Sequence, residues 1–245
     1  INSKIDKPNI RKANDAPNWV RTDRPMKLIE LVDNKQNLQV EGYLPGPIRV
    51  NLRVPADLFT WRSRGIAIDL KYRYTPPKEG DNSRLNISIN EQFIESFNLL
   101  ETGQGGRKNR VRVPLLGSTL FGAGNQLFIP AFQVGANNQM QFDFSFAQHK
   151  QGECETAPLY NIKAAIDPDS IIDFSGYPHY AVMPNLGYFA NAGYPFTRMA
   201  DLNETVILLP ENADTNTLQT FFNLMAHMGV STGYPSLAYQ ISYPN

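Results

Sequence analysis

The sequence predicts a mainly β chain: a β-sandwich of jelly-roll type followed by the beginning of an α/β domain. Three observations carry this. Segments between residues 48 and 146 alternate apolar and polar residues with the period of two that a half-buried strand shows. Gly and Pro separate those segments at short intervals, as expected of antiparallel strands in two sheets packed face to face. After residue 205 the pattern changes to a continuous apolar run and then to a helical period.

The elements follow in order. Residues 1–26 are rich in Asn, Asp, Lys, Arg and Pro without a sustained apolar period, and read as a linker or as a strand that completes some neighbour. The sandwich occupies 27–165. Its first clear strand sets Ile48, Val50, Leu52 and Val54 against Arg49, Asn51 and Arg53. In the second, Ile66, Ile68, Leu70, Tyr72 and Tyr74 share a face until Pro76 and Pro77 remove two ladder donors. Leu85, Ile87 and Ile89 make a third, and Asn90-Glu91 turns the chain toward Phe93–Leu99. Residues 103–109 read as a loop, followed by Val111, Val113 and Leu115, by Gln126–Phe132, and by the strand with Met140, Phe142, Phe144 and Phe146 on one face. Burying those four side chains contributes roughly 1.5–3 kcal/mol each before entropy is counted. A dry core is therefore expected rather than a ligand cavity.

Residues 166–202 are dense in Gly, Pro and Tyr and read as an extended connector held down by aromatics. Residues 203–245 begin an α/β domain. Val206-Ile207-Leu208-Leu209 has the continuous apolar character of a strand buried on both faces. A helix follows, with Asp214 or Thr215 as its cap, Leu218, Phe221, Phe222, Met225 and Met228 on one face, and Gly229 as the left-handed stop. Leu237–Ser242 is the second strand of a βαβ unit, which is too small to be a domain by itself.

Composition narrows the function classes. Of 245 residues, Lys and Arg number 23 and Asp and Glu number 23, so no net field favours nucleic acid, and a neutral ligand is expected. The single cysteine, Cys154, cannot form an intrachain disulfide. No run approaches the roughly 18 apolar residues of a membrane helix, and the polar start without Met makes the chain read as a piece of a longer protein.

No catalytic, cofactor or metal constellation stands out. Gly229-Val230-Ser231-Thr232-Gly233 matches the hydrolase nucleophile elbow, but it follows a helix where the elbow follows a strand. The loop Pro210-Glu211-Asn212-Ala213-Asp214 holds two acids and no glycine where a phosphate site would need the reverse. His149, His179 and His227 are isolated and lack metal-ligand spacing. Arg49 and Arg53 fit R-x-x-x-R, half of a cyclic di-GMP pattern; its second half begins at Asp173-Phe174-Ser175 but has Pro178 at the required glycine. For sugars, exposed aromatics matter, because a pyranose presents a C–H face to a π surface. Trp61, flanked by Arg62 and Arg64, is the candidate carbohydrate-binding residue, with an aromatic plug at the end of the sandwich as the alternative.

A family resemblance adds to this reading. Pro47-Ile48-Arg49-Val50-Asn51-Leu52-Arg53-Val54-Pro55-Ala56-Asp57-Leu58-Phe59-Thr60-Trp61, Leu70-Lys71-Tyr72-Arg73-Tyr74, Ala164-Ala165-Ile166-Asp167-Pro168-Asp169-Ser170 and Asp173-Phe174-Ser175-Gly176-Tyr177-Pro178-His179-Tyr180 resemble the periplasmic subunit family of bacterial cellulose synthases. Val40-Glu41-Gly42-Tyr43 and Pro195-Phe196-Thr197-Arg198-Met199-Ala200-Asp201-Leu202 extend the likeness, which runs from about Pro17 to Tyr234. The resemblance implies a jelly-roll carbohydrate-binding-like domain followed by the start of a flavodoxin-like domain. It also implies a periplasmic, non-catalytic protein, anchored in the inner membrane by a helix outside this chain. That protein partners the catalytic subunit and guides nascent β-1,4-glucan. The family is often labelled cyclic di-GMP-binding, although the dinucleotide site is generally placed in the catalytic subunit. No cofactor and no catalytic residue is implied. A stand-alone carbohydrate-binding module, or a polysaccharide-acting enzyme with two apposed carboxylates, are the competing readings.

Overall fold

Alternating strands bury one face each, and the sequence supplies enough of them for two sheets. The computed structural model describes residues 16–59, 66–77, 82–100, 136–146 and 162–243, and 107–113 as backbone. The described residues are mainly β, and they divide into two compact units, Asn18–Met183 and a smaller one built on Pro184–Asn245.

In the larger unit the strands are β1 (Met26–Lys27), β2 (Gln39–Gly42), β3 (Ile48–Arg53), β4 (Ile66–Tyr74), β5 (Arg84–Ile89), β6 (Gln92–Asn98), β7 (Arg107–Val113), β8 (Asn137–Ser145), β9 (Ile162–Ile166) and β10 (Ile171–Asp173). One antiparallel sheet runs β3-β8-β5-β6. The other is centred on β4: β7 pairs along one edge, β9 and β10 pair end to end along the other, and β2 and β1 pair beyond them. The apolar faces of the two sheets feed one hydrophobic cluster. Ile66, Ile68, Leu70 and Tyr72 of β4 meet Met140, Phe142 and Phe144 of β8 there, with the Tyr72 and Phe144 rings 6.3 Å apart.

Two local devices set the register. Asn90 and Glu91 join β5 to β6 with φ of 48° and 67°, the positive values that a two-residue hairpin loop of type I′ requires at both centres. Asn90 also ties the hairpin to β8: its Oδ1 accepts from the Gln139 N–H at 2.9 Å and its Nδ2 donates to Asn138 Oδ1 at 2.9 Å. The second device interrupts the strand opposite β4. Asp167-Pro168-Asp169-Ser170 bulges out between β9 and β10, and the buried Ser170 hydroxyl restores the lost pairing. It accepts from the Lys71 N–H at 3.0 Å and donates to the Lys71 carbonyl at 3.1 Å. The Asp169 N–H closes the turn on Asp167 Oδ1 at 3.0 Å.

Ahead of β1, Trp19 and Val20 are buried, and Val20 N–H donates to the Arg53 carbonyl at 2.9 Å. Strand β7 begins at Arg107, inside the stretch read as a loop, because its pairing with β4 outweighs a basic sequence of low strand propensity. The expected strand Gln126–Phe132, Leu115, Cys154 and His149 lie outside the described residues.

The smaller unit holds α1 (Leu186–Ala192), β11 (Val206–Leu208), α2 (Thr215–Thr232) and β12 (Gln240–Ser242). Strands β11 and β12 pair in parallel across α2, so the βαβ unit forms. Three expectations need correction. The stretch read as an extended connector contains α1, capped at Asn185, whose Oδ1 accepts from the Tyr188 N–H at 3.0 Å, and stopped at Gly193 with φ 68°. The stop of α2 is Gly233 at φ 64°, not Gly229, because Gly229 keeps helical geometry and its carbonyl accepts from the Gly233 N–H. Lastly, β11 is not buried on both faces: Val206 is 58% and Leu208 67% exposed. Asp214 caps α2 as expected, accepting from the Thr217 N–H at 2.8 Å.

Candidate functional site

The predicted sugar contacts Trp61, Arg62 and Arg64 lie outside the described residues. The approach to them is described, and it is firmly held. After β3, Asp57-Leu58-Phe59 runs antiparallel to Pro178-His179-Tyr180, through Phe59 N–H to the Pro178 carbonyl at 2.8 Å and Tyr180 N–H to the Asp57 carbonyl at 2.7 Å. Leu58 closes the underside and is buried.

His179 is the hub of this joint. Its Nδ1 lies 3.1 Å from Asp57 Oδ1 and its Nε2 3.1 Å from Thr22 Oγ1. Three segments far apart in sequence thus meet on one imidazole. The Asp57 side chain is only 10% exposed, so its carboxylate depends on that contact, whereas the imidazole is 41% exposed. Sequence reasoning leaves His179 as an isolated residue. Nothing local signals its role, because Asp57 lies 122 positions away.

Beside the hub stand two aromatic rings that the core does not absorb. Phe59 is 39% exposed and Tyr180 59%, and they pack edge to face with centroids 5.6 Å apart and planes 78° apart. Among the described residues the Tyr180 hydroxyl has no hydrogen-bond partner.

A second feature is a trough across the outer face of the β4 sheet, comprising two depressions of about 350 and 560 Å³ that share Gln39, Arg73 and Ala165. Register explains it. Ala165 of β9 lies opposite both Arg73 of β4 and Gln39 of β2, so a methyl group sits between two long side chains. The charges along the trough are largely matched: Arg73 with Asp167 at 2.9 Å, Lys27 with Asp169 at 2.6 Å and Lys163 with Glu41 at 3.4 Å. The Lys27 ammonium holds the Asp169 carboxyl below the usual carboxylate range, chiefly by hydrogen bonding. The donors of the trough are therefore largely committed to neighbouring carboxylates.

The two halves of the cyclic di-GMP pattern stand on different elements. Arg49 and Arg53 are on β3 of one sheet, while Asp173 ends β10 of the other. Asp173 Oδ1 is occupied by the Ser175 N–H at 2.8 Å and hydroxyl at 2.6 Å. Burial pushes the Arg53 guanidinium down from its ordinary value. Ser231 of the elbow-like pattern is buried in the last turn of α2, without the strand-to-helix turn that exposes a nucleophile. Among the described residues no group of three His, Cys, Asp or Glu side chains is arranged to hold a metal ion, and no helix is long and apolar enough to cross a membrane.

Comparison with known families decides the identity. A family described as the second CBM domain of cellulose synthase BcsB matches residues 25–171, and the second FD domain of the same protein matches residues 179–245. The chain belongs to the BcsB family of cellulose synthase. Curated relatives are similar along nearly the whole chain. A cyclic di-GMP-binding protein of Pseudomonas fluorescens (strain SBW25) is 38% identical over 239 residues, covering 98% of this chain and 32% of its own. One of the same name from Escherichia coli (strain K12) is 42% identical over 231 residues, covering 93% and 29%. Cellulose synthase 1 of Novacetimonas hansenii is 35% identical over 238 residues, covering 92% and 15%. The chain spans about a third or less of the length of these relatives. Among solved structures, an acetyl xylan esterase from Butyrivibrio proteoclasticus aligns over 91% of this chain and 46% of its own, at 7% identity and a TM-score of 0.28, which carries no argument. Within the BcsB frame, the strings that carry the resemblance fall on joints: the Ser170 bulge, the Asp173–Ser175 turn and the Asp57–His179 hub.

Proposed function

We propose that this chain is the second carbohydrate-binding-like and second flavodoxin-like portion of a non-catalytic periplasmic subunit that supports the catalytic subunit of cellulose synthase and guides nascent β-1,4-glucan. The observation that carries this reading is the succession of the two BcsB domain families along one chain, at 25–171 and 179–245. The two-sheet unit suits a jelly roll. The smaller unit suits the opening βαβ of a flavodoxin-like sheet: Val206, Leu208 and Ile241 keep apolar side chains in water that further strands and helices of such a domain cover. The full-length protein is held at the inner membrane by a helix outside this chain, on the periplasmic side.

Several relatives are named for cyclic di-GMP. In this chain Pro178 stands where the pattern's second half needs glycine, and Asp173 Oδ1 is taken by Ser175, which favours a glucan role and leaves dinucleotide binding to another subunit.

The test is deletion of the segment Asn18–Met183 from the full-length protein, with glucan synthesis and co-purification of the catalytic subunit measured in membrane vesicles. Loss of synthesis or of assembly is expected. Unchanged synthesis with an unchanged complex overturns the proposal. Incubating the chain with cellohexaose and finding no cleavage is the accompanying expectation for a non-enzyme.

A further inference from the structure

We propose that the exposed Phe59–Tyr180 ring pair, braced by the Thr22–His179–Asp57 cluster, is a stacking site for a neutral β-linked glucan chain. The inference rests on the glucan-guiding role proposed for the chain and adds a location to it.

The argument begins with what the rings forgo. Elsewhere in this unit large aromatics such as Tyr72, Phe142, Phe144 and Phe174 are fully buried, so the fold has a core able to take them. Phe59 and Tyr180 instead stay in water, edge to face, so that one ring supports the other and a π face remains open. Their backbones are cross-braced by two hydrogen bonds, and the peptide between Asp57 and Phe59 is locked a second time through His179. Such rings lose little freedom when a ligand arrives, which is the condition for a weak C–H to π contact to register as affinity.

The polar groups select the ligand class. The Tyr180 hydroxyl and the Thr22 hydroxyl, which keeps capacity beyond its bond to His179, are neutral-ligand partners suited to sugar hydroxyls, while both imidazole nitrogens are already engaged. The Asp57 carboxylate lies in the cluster itself, engaged by the imidazole, and the Arg21 and Asp23 charges flanking Thr22 pair with each other at 2.9 Å, so no free cation is offered there among the described groups of the cluster. A phosphodiester finds a carboxylate and no uncommitted cation among the described groups of this cluster, so a cyclic dinucleotide is disfavoured where a neutral glucan is not. His179 acts here as a positioning residue: it touches Asp57 and Thr22, and holds the strand pair that carries the rings.

Two-dimensional NMR titration of the 245-residue chain with cellohexaose tests this, with cyclic di-GMP as a parallel probe. Shifts centred on Phe59, His179 and Tyr180 are expected. Affinity should fall about tenfold in Phe59→Ala and in Tyr180→Ala, the weight of one aromatic contact. Tyr180→Leu, which keeps apolar bulk without a π face, guards against misfolding and should fall similarly. Phe93→Ala, at an exposed ring on β6, should leave affinity unchanged. His179→Gln should move the Phe59 and Tyr180 resonances in the free protein before sugar is added, which a residue without influence on the rings would not do. Cellohexaose shifts confined to the Arg73 trough, or unchanged affinity in Tyr180→Leu, overturn the site while leaving a glucan role standing. Cyclic di-GMP shifting the rings without cellohexaose overturns the ligand class. No shift with either probe at millimolar concentration overturns the site, while the deletion experiment judges the broader role separately.

Discussion

The two units use similar apolar residues to opposite effect. In Asn18–Met183, β4 and β8 send every second side chain into a shared cluster, and the partner sheet covers it. In Pro184–Asn245, β11 and β12 form a two-stranded parallel sheet whose Val206, Leu208 and Ile241 stay exposed, and Phe222 of α2 is 63% exposed. The difference lies in cover and not in hydrophobicity. A parallel pair is stable when both faces are packed, and within this chain one helix stripe, around Phe221 and Met228, is buried. The larger unit should therefore carry most of the stability measured on this chain, and the smaller one should fray at lower denaturant.

The largest effect that would break this comparison is a core truncation. Phe142 is fully buried between β3 and β5, so Phe142→Ala should cost about 3–5 kcal/mol in urea unfolding. The matching truncation Phe222→Ala should change stability by less than about 0.5 kcal/mol. Equal losses would mean that the α2 surface is packed in solution and the contrast is false. A second substitution sharpens the contrast within the smaller unit. Gly193 stops α1 at φ 68°, and a Cβ there would stand 2.6 Å from both Met228 Sδ and Thr197 Cγ2. Gly193→Ala should cost about 2–3 kcal/mol through strain and overpacking, lost locally. Hydrogen exchange should speed up in α1 and α2 while β8 amides stay protected.

Legibility follows the same division. Strands with long alternating runs, β3, β4 and β8, are readable because each residue reports its own face. The β5–β6 hairpin is readable from Asn90-Glu91. What escapes depends on partners distant in sequence. Strand β9 is short and holds Ala164 and Ala165, and β10 has three residues, so neither has a period to detect. Helix α1 is hidden because its Gly187 and aromatic content resembles loop composition, although Asn185 and Gly193 are its cap and stop. Gly229 does not stop α2, since glycine inside a helix costs only about 1 kcal/mol, which the last turn recovers by reaching Gly233. At the candidate site, the sequence singles out Trp61, Arg62 and Arg64, which lie outside the described residues, and not Tyr180 or His179, whose proximity to Phe59 arises from strand pairing.

Ser170 tests whether the larger unit owes its closure to side-chain packing alone. Its hydroxyl substitutes for strand pairing with Lys71 at a fully buried position. Ser170→Ala should cost about 1–3 kcal/mol by leaving the Lys71 N–H without that partner, while the Lys71 carbonyl keeps the Asp167 N–H at 2.8 Å. A loss below about 0.5 kcal/mol would show that the bulge relaxes into continuous pairing. The hairpin offers a gain. Glu91 holds φ 67°, a conformation that disfavours a side chain, so Glu91→Gly should stabilise the unit by about 0.5–1 kcal/mol, read from the urea midpoint. Asn90→Ala is the counterpart and should destabilise, since it also removes the two side-chain bonds to β8.

The smallest effect concerns the start of α2, where the smaller unit depends on a surface group. Hydrogen bonding from Thr217 holds the Asp214 carboxyl below the usual carboxylate range. A depressed folded value means that the contribution is present above the unfolded value of about 4 and is lost as pH falls through the folded value. The group is on the surface, so solvent screening keeps the effect small. Protection of the first α2 amides should decline on acidification below about pH 4. In Asp214→Asn, which keeps an acceptor and removes the charge, that decline should flatten. A decline of equal steepness in both proteins would assign the acid sensitivity of α2 to groups other than its cap.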